Sequence, residues 1–90
     1  MKKIEVEEYM VGKIVDEYEH FNQLIEYGIQ HYEKTNDPIV KENILNLIRR
    51  DRSEKNEFFR ALAIIGFPGV SNVNGFYEFN EGEAYSIVRN

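Results

Sequence analysis

Two pairs of side chains in this sequence have the spacing that chemistry on a helix requires. Glu17 and His20 form an E-x-x-H pair, and Glu54 and Glu57 form an E-x-x-E pair. Residues three apart on a helix share a face, so each pair can offer two ligands to one metal ion. Glu19 lies beside the first pair and completes a candidate set of Glu17, Glu19, His20, Glu54 and Glu57. The surroundings weigh against a metal. Arg49, Arg50, Arg52 and Lys55 flank the second pair, and cations at that density repel a metal ion. The same residues support a simpler reading, in which Asp16, Glu17 and Glu19 pair with those four cations across two helices. Surface pairs of this kind contribute about 0–1 kcal/mol each, yet they set register. No metal and no cofactor is therefore expected.

Other chemistries find less material. The chain has no cysteine, so a disulfide framework, a thiolate zinc site and a cysteine nucleophile are all excluded. His20 and His31 have no Cys or Ser placed to complete a triad. The glycines lack phosphate-loop spacing. A net charge of −5 argues against binding a phosphate backbone as the main task. The other cluster with binding chemistry is aromatic: Phe67, Phe76, Tyr77, Phe79 and Tyr85 fall within nineteen residues set among Gly, Asn and Pro. Aromatic rings anchor protein interfaces because they cover much area at little rotamer cost. They serve equally well to close the open side of a two-helix hairpin.

These residues must be positioned by helices. Val11, Ile14, Tyr18, Phe21, Ile25, Gly28 and Tyr32 recur at alternating spacings of three and four, the seam of an amphipathic helix. Val15 and Ile29 widen the stripe on one side, Met10 and Leu24 on the other, so more than one neighbour is expected. The first helix is placed at about 5–34. Asp37 and Pro38 then supply an N-cap and a first helical residue that needs no N–H partner. The second helix is expected over about 38–65. Its apolar stripe is interrupted by nine polar residues, Arg49 to Glu57, where Ser53 could instead cap a third helix. With no Gly or Pro between 39 and 65, one continuous helix is preferred. Gly66 with Pro68 stops it.

Residues 69–75 read as a loop. Beyond them, 76–79 and 84–88 flank Asn80-Glu81-Gly82-Glu83 and are read as a β-hairpin; the alternative is a short helix capped by Asn80. Residues 67–90 thus form a small C-terminal appendage.

An antiparallel hairpin turning near residue 36 sets Glu17–Gln23 level with roughly Arg49–Asn56, about 25 Å from the turn at 1.5 Å per residue. This is a charged belt across the apolar seam. Residues 1–34 carry eight acids and four bases, and residues 35–66 five acids and six bases, so the two helices complement each other.

Asp37-Pro38, Arg50-Asp51 and Glu57-Phe58-Phe59-Arg60-Ala61-Leu62 resemble the second helix of a ferritin-like hairpin of the rubrerythrin or encapsulated-ferritin type, over residues 16–62. The resemblance implies a helical hairpin, with a metal held by a Glu of the first helix and an E-x-x-H pair of the second. In this chain the second-helix pair falls on Arg52 and Lys55 in one register and on Glu54 and Glu57 in another, so the ligand positions are not preserved.

The expected protein is one mainly α domain over 1–90: a long antiparallel two-helix hairpin with its appendage, able to complete a four-helix bundle on dimerisation. Self-association is expected through Val11, Ile14, Tyr18, Phe21, Ile25 and Tyr32. The start, Met1-Lys2-Lys3 followed by Ile4-Glu5-Val6, has no apolar run of the signal-peptide kind, and a cytoplasmic location is expected. The expected function is non-enzymatic binding of another protein, through the acidic hairpin and the aromatic segment. Size and composition suit an accessory factor or inhibitor of the sort carried by phages and mobile elements, with no direct contact to nucleic acid or membrane. Two alternatives are a ferritin-like metal protein and an acidic decoy of a nucleic-acid-binding protein.

Overall fold

The computed structural model describes residues 5–90. Helices α1 (Glu8–Lys34) and α2 (Pro38–Ile64), 27 residues each, pack side by side as an antiparallel pair. Strands β1 (Val70–Val73) and β2 (Phe76–Phe79) form a two-stranded antiparallel sheet, and helix α3 (Glu81–Arg89) follows. The mainly α hairpin with a C-terminal appendage is the observed architecture.

The helix boundaries follow from local chemistry. Asp37 Oδ1 accepts from the backbone N–H of Ile39 at 2.9 Å and of Val40 at 3.4 Å, and Pro38 takes the first helical position. α2 runs unbroken through Arg49–Glu57. At its end Gly66 adopts φ 79°, the Phe67 N–H bonds to the Leu62 carbonyl at 2.9 Å, and the Gly66 N–H bonds to the Ala63 carbonyl at 3.1 Å. This is a Schellman motif, which only a residue tolerating positive φ completes without strain. It also turns Phe67 back beneath the helix it terminates.

The appendage departs from expectation. Residues 70–73 are a strand rather than a loop, and Val70–Val73 pairs with Phe76–Phe79, in register Val73↔Phe76 through Val70↔Phe79. The connection is Asn74-Gly75, with φ 55° and 85°. Positive φ at both central residues matches the type I′ turn, whose twist suits antiparallel strands. Residues 84–88 do not pair with 76–79; they lie in α3. Asn80 Oδ1 accepts from the Glu83 N–H at 2.8 Å and caps that helix. A two-residue Asn-Gly turn therefore prevails over a four-residue connection whose Asn80 is already used as a cap.

The core lies at the end of the hairpin remote from the α1–α2 turn. Val11, Val15, Phe59, Phe67, Phe79 and Ala84 form one buried cluster, with Phe59 and Val11 fully enclosed. Phe59 stacks on Phe79 at a centroid distance of 5.5 Å and meets Tyr18 and Phe58 edge-on at 5.5 and 5.2 Å. Among the described residues of the distal half, 24–50, Ile48 alone is buried. There Gly28 lets the helices approach: a Cβ on it would stand 2.8 Å from Ile48 Cγ1.

Contacts between the helices are shifted from the symmetric pairing. Folding about residue 36 would set Asn22 opposite residue 50 and Gly28 opposite residue 44. The structure places Asn22 against Lys55 and Gly28 against Ile48, five and four residues further along α2. The difference is about one helical turn. It brings Tyr18 to Phe59 and Phe21 to Phe58, so ring packing sets the register.

Gly28→Ala should lower the thermal midpoint, because overpacking at about 1–3 kcal/mol exceeds the roughly 1 kcal/mol gained in helix propensity. In an Ile48→Ala background the obstructing carbon is gone. The same change should then be neutral or stabilising, and a denaturant double-mutant cycle reads the difference.

Candidate functional site

The belt is assembled at its centre by Lys55 and not by ion pairs. Lys55 Nζ donates to Asn22 Oδ1 at 2.7 Å and stands 4.8 Å from the centroid of the Tyr18 ring. Its half-buried position holds its pKa below the usual 10.5, chiefly because burial penalises the charge; Glu78 opposes the shift and Arg52 adds to it. The expected pairing of Arg49, Arg50, Arg52 and Lys55 with Asp16, Glu17 and Glu19 does not occur. Among the described residues the salt bridges are Arg50–Glu54, along one helix at 3.9 Å, and Arg89–Glu8, which ties the last turn of α3 to the first turn of α1. Asp16, Glu17, Glu19, Arg49, Arg50 and Arg52 are all exposed, so their side chains face solvent rather than one another.

Asn56, unremarked in the sequence, clamps the appendage. Its Oδ1 accepts from the Tyr77 N–H at 2.7 Å and its Nδ2 donates to the Gly75 carbonyl at 3.3 Å. One amide thus satisfies a donor on β2 and an acceptor in the turn that precedes it, a role its two-ended chemistry suits. The only hint in the sequence is its place on the helix face that also carries Phe59. Between α1, α2 and β2 lies a cleft of about 430 Å³, lined by Tyr18, Arg52, Lys55, Phe76, Tyr77 and Glu78 among others.

The metal candidates are not brought together. Glu17, Glu19, His20, Glu54 and Glu57 are all exposed, and no three His, Asp or Glu among the described residues are grouped to hold an ion. The residues present do not fit the metal that the ferritin-like resemblance implies. His31 is exposed and packs edge-on against Tyr27 at 4.4 Å.

The five tail aromatics divide. Phe67 and Phe79 are buried in the core, while Tyr77 and Tyr85 are half-buried. Phe76 is 68% exposed beside its cross-strand partner Val73. The residues expected to self-associate are largely engaged within the chain. Val11 is fully buried, and Ile14, Tyr18, Phe21, Ile25 and Tyr32 are half-buried on the seam.

What stays open is one side of the pair. Successive helical side chains turn by about 100°, so Gly12 and Val15 on α1, with Asn56 and Ala63 on α2, face the appendage. Gly12 indeed lies under the Tyr85 hydroxyl and Asn56 holds β2. Met10, Ile14, Phe21 and Leu24 face the opposite side, as do Val40, Leu47, Phe58 and Ile65. Leu24, Val40, Leu47 and Ile65 are each more than 40% exposed. At the core end this side holds an apolar groove of about 290 Å³, between Met10, Ile14, Leu62 and Ile65. No helix among the described residues is long and apolar enough to cross a membrane.

No family model, no curated protein and no solved structure matches this chain.

Two measurements follow. Asn56→Ala should cost about 1–3 kcal/mol, the range for removing partners from two backbone groups, and should selectively speed hydrogen exchange at the Tyr77 amide. For Lys55 the sign is set by its lowered pKa. Between that value and 10.5 the unfolded chain holds the proton more tightly, so stability rises with pH across that window. The stability of the wild type relative to Lys55→Met should therefore increase as pH climbs toward 10.5, and denaturation at matched alkaline pH values checks it.

Proposed function

We propose that this protein works without catalysis, as an accessory factor or inhibitor that binds protein. The observation that carries this reading is the apolar side of the helix pair that the appendage leaves uncovered, from Met10 and Ile65 to Leu24, Val40 and Leu47. Leu24, Val40 and Leu47 stand exposed towards the turn and Ile65 at the core end, with Glu17, Asp51 and Glu54 between them; exposed apolar surface rimmed by polar residues marks interaction sites. Phe76 and Val73, adjacent and exposed at the end of the β-hairpin, form a second, smaller contact point. Of the aromatic segment, then, the binding role falls to Phe76 and to the rim of Tyr77, while Phe67 and Phe79 hold the core.

A specific observation also favours the acidic-decoy alternative. Asp16, Glu17, Glu19, Glu26 and Glu33 of α1 are exposed and take part in no salt bridge among the described residues. Exposed acids attract a basic partner surface, and salt-sensitive binding would distinguish this mode from apolar docking. The ferritin-like alternative keeps the continuous hairpin in its favour, but its five candidate ligands stand apart and open to solvent.

Photo-crosslinking side chains at Leu24, Leu47 and Phe76, with Glu81 as control, test the main reading in cells that produce the chain. Protein adducts are expected at the first two positions, more weakly at Phe76, and not at the control. Their absence from all three positions would overturn it.

A further inference from the structure

We infer that the occupant of the open side is a second copy of this chain, docked through residues 24–50 to complete a four-helix bundle. The inference rests on the protein-binding reading and names its partner. Three observations carry it, the first being area. The chain exposes 6740 Å², whereas a compact monomer of 10.7 kDa is expected to expose about 5,500 Å². The excess of roughly 1,200 Å² is spread over an elongated chain of 51 × 21 × 16 Å, and it leaves room for the ~800 Å² that each partner of a standard interface buries. The radius of gyration tells the same story, at 15.7 Å against about 12 Å for 90 residues.

The second observation is where the charge lies. Residues 24–50 hold four acids (Glu26, Glu33, Asp37, Glu42) and four bases (Lys34, Lys41, Arg49, Arg50), net zero. The other residues hold twelve acids and seven bases, which accounts for the whole −5. Two copies that overlap by their distal halves, each pointing its core end away, bring the neutral parts together and keep the acidic parts apart.

The third is shape. Leu24, Val40 and Leu47 are exposed on a slab two helices wide, with only Ile48 buried beneath it. An identical slab across a two-fold axis offers the same patch in return, as an isologous contact requires, and four helices then enclose the core that two cannot.

Light scattering on the full chain at tens of micromolar should give 21.4 kDa, twice 10.7 kDa. Leu24→Glu with Leu47→Glu should halve that mass while the far-ultraviolet helical signal persists, and Glu81→Ala should leave it at the dimer value. If the double variant unfolds, the wild-type chain carrying a photo-crosslinker at Leu47 decides the matter, because the inference requires an adduct of two identical chains. A wild-type mass of 10.7 kDa, or an open-ended series of larger masses, would overturn the two-copy bundle. A monomer that still crosslinks to other proteins through Leu24 and Leu47 would leave the protein-binding reading standing. A monomer with no adducts would remove both.

Discussion

The enclosure of one phenyl ring organises this molecule. Phe59 is reached by Tyr18 from α1, by Phe58 from its own helix and by Phe79 from β2. Edge-on and offset-stacked rings are each worth about 0.5–1.5 kcal/mol beyond the area they bury. Their demand on geometry matters more than that energy. A ring in α2 can meet Tyr18 and Phe79 together only if α2 slides along α1, and the pair is displaced by about one turn from a symmetric hairpin. That displacement brings Lys55 over Tyr18 and puts Asn56 where it grips β2. Electrostatics here is a consequence of packing.

Much of the frame was readable from local signals. The seam from Val11 to Tyr32 states a helix because spacing alone encodes which side is apolar. Asp37-Pro38 and Gly66 state their boundaries because capping acts within three or four residues. The polar run Arg49–Glu57 stays helical because its residues are good helix formers and nothing in it breaks the chain. Pairing in the appendage runs through Asn74-Gly75, the strongest two-residue turn signal in the chain, and not through residues 80–83. The short run Val70-Ser71-Asn72-Val73 has too little apolar character to announce a strand. Its β form depends on Asn56 and on β2, and neither is local to it.

The candidate site was legible only in part, for a related reason. The sequence gathers acids and bases at one level of the hairpin but does not say whether they touch. A shift of one turn is invisible to any pattern with the period of a helix, since every face stays the same while each partner changes. The aromatic segment posed another limit. Phe76 and Phe79 are indistinguishable as residue types, yet opposite sides of one short strand send Phe79 to the core and Phe76 to solvent. Which side is inward depends on the partner strand Val70–Val73, which the sequence does not announce.

The link between Arg89 and Glu8 joins residues that lie 81 positions apart, and Ala84 packs in the same cluster as Val11. During synthesis the two halves of the molecule therefore mature on different schedules. The distal pair, with its turn at 35–37, is made of near neighbours in the sequence and can zip as soon as α2 is free of the ribosome. The core around Phe59 must wait until β2 and α3 have been made, for they supply its lid. Throughout that interval the nascent chain displays Phe59, Val11 and Tyr18 beside the distal apolar side. A chain that still lacks β2 and α3 therefore exposes apolar surface that the finished one buries.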